Sequence, residues 1–266
     1  MQVIGQERLI KIFENYTLAT LPKTCLFIGD KGCGKRTLAM KIADDFHFQL
    51  VLVDSKITPE EIIDYMQKPV YTLFFIDLML FTEKQQNQFL KFIEEPGQYN
   101  YIILSTTSTA GILPTIVNRC VRFTFDPYTQ EQLKFFDWLN PVEDPIAYCI
   151  CKTPGEITDI NMKNVRPLYD LCKTIVNSMR IVPYANLMKV ATKINYKEDY
   201  DKFTFRYFFK MLNFVALDEF KTNNNQDAFI VYLETLKAER DFAEARSLNK
   251  ESYVYSFLNR LWEATH

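Results

Sequence analysis

The sequence predicts an α/β fold in which a parallel five-stranded sheet is followed by a small helical segment and then by an all-helical C-terminal domain. Short apolar runs alternate with amphipathic helical stretches in the first half, glycines cluster directly after the first run, and the strand signal ends near Phe125. Strands that alternate with helices favour a parallel sheet covered by helices on both faces. We therefore predict an α/β domain over 1–126, a small helical lid over 127–163 and a helical domain over 164–266.

Five short apolar runs bounded by polar residues predict the strands. The runs are Thr24–Ile28, Gln49–Val53, Thr72–Ile76, Tyr101–Leu104 and Val121–Phe125. Between them, apolar residues at three- and four-residue spacing predict helices over Arg36–Phe46, Pro59–Met66 and Glu83–Glu95. The near-continuous hydrophobicity of Leu73–Ile76 is typical of a strand buried on both faces.

The second half of the chain has a helical pattern. Thr129 is suited to cap a helix that starts after it, because its hydroxyl can accept a bond from the first turn. From Val165 to the end the pattern is helical, and we expect breaks at Pro167, at Pro183 and in the polar stretch Lys221–Gln226.

Composition excludes several classes of protein. The chain has 266 residues, 48% of them hydrophobic and 24% charged, with a net charge of −2 at pH 7. This near-neutral balance excludes a chain that binds nucleic acid through the charge of its whole surface. The N-terminal segment is charged, unlike a secretory signal, and no apolar run reaches the roughly 18 residues that a membrane span needs. We therefore expect a soluble, cytoplasmic protein without a membrane partner.

The cysteines do not form a metal-binding pattern. There are six, scattered along the chain, and only Cys149 and Cys151 are close together. A zinc site usually needs two such pairs or partner histidines, and the chain has only His47 and His266. We expect no zinc.

A glycine cluster predicts a phosphate-binding loop. The chain has seven glycines, and three of them lie within six residues, after a predicted strand and before a predicted helix. That context fits a G-x-x-x-x-G-K loop, in which glycines let backbone N–H groups surround a phosphate and the helix N-terminus and the lysine add positive charge. The expected nucleotide-binding residues here are Gly29, Asp30, Lys31, Gly32, Cys33, Gly34, Lys35, Arg36 and Thr37.

Two departures predict a weakened site. The residue after the loop lysine is normally Ser or Thr, whose hydroxyl binds Mg²⁺, but here it is Arg36, and Thr37 lies about 100° further round the helix. Asp77 ends a predicted strand where a second acid would meet the metal. The next residue, commonly a glutamate that polarises water in such ATPases, is Leu78. We therefore expect ATP to bind weakly or not at all.

Several motifs in order resemble one family. They are Ile4–Glu7, Gly29–Ala39, Asn87–Pro96 (NQFLKFIEEP), Tyr101–Thr107 and Leu113–Cys120 (LPTIVNRC). Together they are similar to the clamp-loader subunits of the AAA+ class, and within it to the delta-prime type of bacterial DNA polymerase III. The similarity covers roughly residues 1–160, and the helical collar that such subunits carry is matched only by composition and length.

The resemblance implies roles for individual residues. Arg119 matches the arginine finger that acts in trans on a neighbour's ATP, and Thr107 ends the sensor-1 strand and would contact nucleotide. Ile4–Glu7 would pass the adenine pocket. In the lid, Glu156 stands where ATP-hydrolysing members carry a base. The zinc module of many relatives is absent, because no cysteine lies between Cys33 and Cys120.

The resemblance also implies a function and partners. It implies a non-hydrolysing subunit of a hetero-oligomeric ring within a DNA polymerase III complex, which acts with other clamp-loader subunits, a sliding clamp and primer-template DNA gripped by the assembled ring. Lys84 and Lys91 are candidates to face DNA, although surface lysines are usually only solvated. The alternatives are an active ATPase of the gamma/tau type that uses Thr37, an AAA+ adaptor that binds no clamp and, more remotely, a small P-loop kinase.

Overall fold

A five-stranded parallel sheet organises the first half of the chain in the computed structural model, which describes residues 5–53, 59–137, 146–159, 165–195, 203–244 and 249–266. The strands are β1 (Thr24–Ile28), β2 (Gln49–Val53), β3 (Thr72–Asp77), β4 (Asn100–Thr106) and β5 (Val121–Thr124). Their order is β2-β3-β4-β1-β5. The predicted α/β fold with a parallel five-stranded sheet is confirmed, and each strand ends within two residues of its predicted bounds.

Helices connect the strands and continue past the sheet. They are α1 (Glu7–Glu14), α2 (Lys35–Asp45), α3 (Pro59–Met66), α4 (Glu83–Glu94), α5 (Pro114–Val117), α6 (Gln130–Asp137), α7 (Ile146–Ile150) and α8 (Pro154–Asp159). Thr129 caps α6 as predicted, since its hydroxyl accepts a hydrogen bond from Gln132 N at 3.2 Å.

Two hydrophobic cores cover the two faces of the sheet. Alternate residues of β4 belong to different cores, because side chains along a strand point to opposite faces. Tyr101 and Ile103 pack in the core that includes α1 and α2, whereas Ile102 and Leu104 pack in the core that includes α3, α4 and α5. Every residue of β4 is buried, as expected for a central parallel strand.

Strand order decides which loops meet. β4 lies between β1 and β3, with Ile28 opposite Thr106 and Asp77 opposite Ser105. The segments that follow these three strands therefore leave the sheet side by side at its carboxyl edge, where ligands bind in open α/β sheets. β5 pairs with β1 from Cys25 onward, so the residues just before Val121 lie at the opposite, amino edge.

The remainder of the chain is mostly helical. Its elements are α9 (Val165–Ser178), α10 (Tyr184–Met188), β6 (Ile194–Asn195), β7 (Phe203–Thr204), α11 (Phe205–Asn223), α12 (Gln226–Glu244) and α13 (Lys250–Thr265). The breaks expected at Pro183 and within Lys221–Gln226 are present. Pro167 is not a break, because it lies in the first turn of α9, where a proline removes no helical hydrogen bond. The pair of two-residue strands is an addition to the predicted all-helical domain.

Contacts divide the chain into two compact units. The first contains residues 1–140 and 152–158, and the second contains 141–151 and 159–266. The three-part division made from the sequence, with boundaries after 126 and 163, remains a prediction. In the described residues, no helix is long and apolar enough to cross a membrane.

Candidate functional site

A cleft of about 740 Å³ opens at the carboxyl edge of the sheet, within the first unit. Eight of the eleven residues expected to bind nucleotide line it. They are Lys31, Gly32, Gly34, Lys35, Arg36, Thr37, Asp77 and Thr107. Gly29, Asp30 and Cys33 belong to the same loop but do not line the cleft, and Cys33 is buried in the core below it.

Left-handed backbone shapes the loop after β1. Gly32 has a φ of 79° and Gly34, which precedes the first residue of α2, has a φ of 93°. Residues with a Cβ rarely adopt these values. The glycine spacing noted in the sequence is therefore required by the turn that delivers the chain into α2.

Lys35 folds back onto this loop. Its Nζ donates hydrogen bonds to the carbonyl oxygens of Gly29 at 2.5 Å and of Asp30 at 2.9 Å. The ammonium therefore stabilises the loop itself.

The next three carbonyls of the loop are held by residues far along the chain. Thr153 Oγ1 donates to Lys31 O at 2.8 Å, Gly155 N donates to Gly32 O at 3.0 Å, and Tyr128 Oη donates to Cys33 O at 3.0 Å. Together with the two bonds from Lys35, five consecutive carbonyl groups have donors from this chain. The loop is held in shape by the protein's own groups.

Tyr128 connects the loop to the N-terminal segment. A Cβ built on Gly5 would lie 2.5 Å from Tyr128 Cε1, so the ring packs directly on that glycine. Burial raises the pKa of Tyr128 to about 12, and the hydroxyl therefore remains a donor to Cys33 O at neutral pH. Ile4, the first residue of the segment assigned by resemblance to an adenine pocket, lies outside the described residues.

The segment after β3 does not present a catalytic acid. Asp77 Oδ1 accepts a hydrogen bond from Met79 N at 3.2 Å and so caps the 3₁₀ turn Leu78–Leu80. Leu78 is fully buried in the core. Met79 faces the cleft instead, and its sulfur lies 3.6 Å from Thr106 Oγ1 and 3.8 Å from Thr107 Oγ1. The thioether therefore lies beside the predicted sensor threonine.

In the described part of the lid segment, no basic side chain lines the cleft. Glu156 is buried, and its carboxylate accepts a hydrogen bond from Lys152 N at 2.8 Å rather than lining the cleft. Thr158 lines the cleft, beside Pro154 and Gly155. In the part of the chain that the structure describes, no cluster of three or more potential metal ligands among His, Cys, Asp and Glu is present.

Arg119 lies at the amino edge of the sheet, opposite to the cleft. It follows α5 and precedes β5, and its Nε is 2.7 Å from Glu94 Oε1 while its Nη1 donates to Thr115 O at 2.9 Å. The side chain is about half exposed, at 42%. Its position therefore excludes a role in this chain's own phosphate loop.

Comparisons with known proteins agree with this arrangement. A family model described as DNA polymerase III, delta subunit, matches residues 70–129, which include β3, α4, β4 and the Arg119 segment. The DNA polymerase III subunit gamma of Buchnera aphidicola is 25% identical over 176 residues, covering 53% of this chain and 48% of the relative. A replication factor C small subunit from Methanococcus vannielii is 26% identical over 149 residues, covering 50% and 47%.

The chain is similar over about half its length to subunits of DNA polymerase III and replication factor C. It spans about half the length of the curated relatives that it matches. The solved RuvB Holliday junction branch migration motor of Thermotoga maritima aligns with 71% of this chain and 76% of its own at 19% identity and a TM-score of 0.49. That score is too low to support an inference.

Sequence reasoning missed the residues that close the phosphate loop of this clamp-loader-like chain. Tyr128, Thr153 and Gly155 reach the loop from more than 90 positions away, and no local pattern marks them. The sequence does, however, contain one indication that Gly155 has a structural role. It is the only glycine after Gly111 in a chain that has seven, and an isolated glycine often marks a close approach of two backbones.

Gly155→Ala should destabilise the first unit, because the new Cβ would lie 2.5 Å from Gly32 Cα and 3.1 Å from Gly32 O. Both neighbours are backbone atoms that cannot turn aside. We expect a loss of about 1–3 kcal/mol, measured by chemical denaturation. Lys152→Ala, an exposed change in the same segment, is the matched control and should leave stability unchanged. Equal stability of the two variants would contradict the observed packing.

Leu78→Glu should unfold or strongly destabilise the protein rather than restore a catalytic glutamate, because Leu78 is fully buried in the core and a carboxylate there would be desolvated without a partner. Met79→Glu, one residue later, should be tolerated because Met79 is 56% exposed. Thermal melts of the two variants test this. Melting at the wild-type temperature by the Leu78 variant would show that the side chain can leave the core.

Proposed function

We propose that this chain is a subunit of a replication clamp loader that does not hydrolyse ATP itself and that completes the ATP site of a neighbouring subunit with Arg119. The observation that carries the proposal is the contrast between the two edges of the sheet. One edge has a phosphate loop in which Arg36 follows the lysine, and the other has a half-exposed arginine in the LPTIVNRC segment.

Three features of the cleft support a silent site. Arg36 replaces the hydroxyl that would bind Mg²⁺, Met79 lies beside Thr107, and the residue after Asp77 points into the core. Phosphoryl transfer depends almost entirely on positioned charges and metal. A loop without the metal-binding hydroxyl can retain its shape, through its own hydrogen bonds, without supporting turnover.

The proposed role of Arg119 follows from its chemistry. A guanidinium remains charged at physiological pH and offers a planar set of donors that matches phosphate oxygens. Supplied by a neighbour, such a group stabilises the charge that develops on a transferring phosphoryl group, an effect worth roughly 10³–10⁵ in rate in GTPases. We propose that the neighbours are ATP-hydrolysing clamp-loader subunits in a hetero-oligomeric ring, with a sliding clamp and primed DNA as the partners of the whole ring.

An active gamma-type ATPase is the second candidate. It is favoured by Thr37 and Asp77, which both line the cleft with Lys35, and by the similarity to a gamma subunit. Thr37 would then replace the missing metal-binding hydroxyl from a position one residue later in α2.

Isothermal titration of the purified chain with ATP and Mg²⁺ separates the two candidates. We expect weak binding or none, and no phosphate release, because Arg36 cannot ligate a metal and Leu78 stands in place of the usual glutamate. Tight, Mg²⁺-dependent binding with turnover would favour the gamma-type ATPase.

Arg119→Ala should lower the DNA- and clamp-stimulated ATPase of the reconstituted loader at one site by roughly 10³-fold or more, without changing assembly. Arg119→Lys should recover little, since an ammonium lacks the planar set of donors.

The matched control is Lys35→Ala, which should have a small effect in the same assay because this chain's own site is proposed to be silent. If Lys35→Ala abolishes activity and Arg119→Ala does not, the two roles are reversed. If the chain fails to co-purify with a sliding clamp and a loader ATPase, an adaptor role that involves no clamp is favoured.

A further inference from the structure

Arg119 is held from behind by two acceptors of its own chain. Its Nε is paired with Glu94 Oε1 at 2.7 Å, and its Nη1 donates to Thr115 O at 2.9 Å. Glu94 is therefore an ion-pair partner, and the hydrogen bond that the guanidinium makes in the described residues is the one from Nη1 to Thr115 O. A guanidinium has five N–H donors, and the two of Nη2 make no hydrogen bond within the described residues.

The backbone beneath Arg119 is also fixed. Asn118 N donates to Pro114 O and Arg119 N donates to Ile116 O, both at 3.0 Å. Ile116 is fully buried, and Cys120 packs against the same core. The side chain therefore extends from a rigid turn, and its direction is set mainly by the two acceptors.

Glu94 occupies a place where an acid is locally unfavourable. It is the last residue of α4, and the partial negative charge at a helix C-terminus repels a carboxylate. Glu95 follows it, so two acids share this helix end. Local helix chemistry does not account for Glu94, whereas its ion pair with Arg119 does.

We infer that Glu94 is a positioning residue that pre-orients the Arg119 guanidinium toward the ATP of the neighbouring subunit. This inference rests on the function proposed above. The carboxylate removes the rotational freedom of a long side chain before the ring assembles, so less conformational entropy is lost when the free donors meet phosphate oxygens. The exposed ion pair is weak by itself, so its contribution is to orientation rather than to the stability of the subunit.

The test uses the full chain assembled with the ATP-hydrolysing subunits, the clamp and primed DNA. Glu94→Ala should lower kcat for stimulated ATP hydrolysis by about 10- to 100-fold, the range found when the partners that orient metal ligands are removed, with KM for ATP and the melting temperature unchanged. Glu94→Gln should recover most of kcat, because its amide oxygen can still lie beside the guanidinium and limit its rotation. Glu95→Ala, an exposed acid at the neighbouring position, is the matched control and should behave as wild type.

The double variant Glu94→Ala/Arg119→Ala shows whether Glu94 acts through Arg119. We expect it to be no slower than Arg119→Ala alone, because residues that act as a unit are not additive. An unchanged or raised kcat for Glu94→Ala, a full additional loss in the double variant, or equal losses for the Gln and Ala variants would overturn the positioning role. A normal kcat for Arg119→Ala would instead overturn the proposed function and this inference with it, so the two failures are distinguishable.

Discussion

β1 hydrogen-bonds to β4 along one side and to β5 along the other, and all three strands run in the same direction. This pairing decides where the candidate functional residues lie. The phosphate loop leaves the carboxyl end of β1 beside the ends of β4 and β3, whereas the Arg119 segment enters β5 at the amino end. The sheet therefore places the cleft beside the phosphate loop at one edge and Arg119 at the opposite edge.

The phosphate loop beside the cleft is held in shape by hydrogen bonds within the chain. Five consecutive carbonyls receive hydrogen bonds from Lys35, Thr153, Gly155 and Tyr128. These bonds stabilise the turn and account for the shape of the loop.

At the amino edge of the sheet, the Arg119 side chain is exposed to solvent, but its orientation is limited by contacts with its own chain. A half-exposed arginine samples many rotamers unless acceptors hold it. Thr115 O and Glu94 supply those acceptors, and the buried residue Ile116 holds the turn that carries them. The buried Ile116 therefore fixes the turn that carries Arg119. The outer N–H donors of the guanidinium remain exposed to solvent.

Local sequence patterns were sufficient to predict most of the strands and helices. The apolar runs gave the five strands, the glycine spacing gave the phosphate loop, and Thr129 gave a helix start, because strand alternation, left-handed backbone and capping depend on neighbouring residues. Pro167 was misjudged because a proline breaks a helix only beyond its first turn, and the position of that turn depends on where α9 begins.

The sequence by itself determined the class of fold, the location of the phosphate loop and the absence of a serine or threonine after Lys35, since each is a matter of residue type at a fixed spacing. Only the tertiary structure decided that Leu78 enters the core while Met79 faces the cleft, that Gly155 touches Gly32, and that Glu94 pairs with Arg119. These contacts join residues from different elements. Strand order and packing, which no local pattern encodes, bring them together.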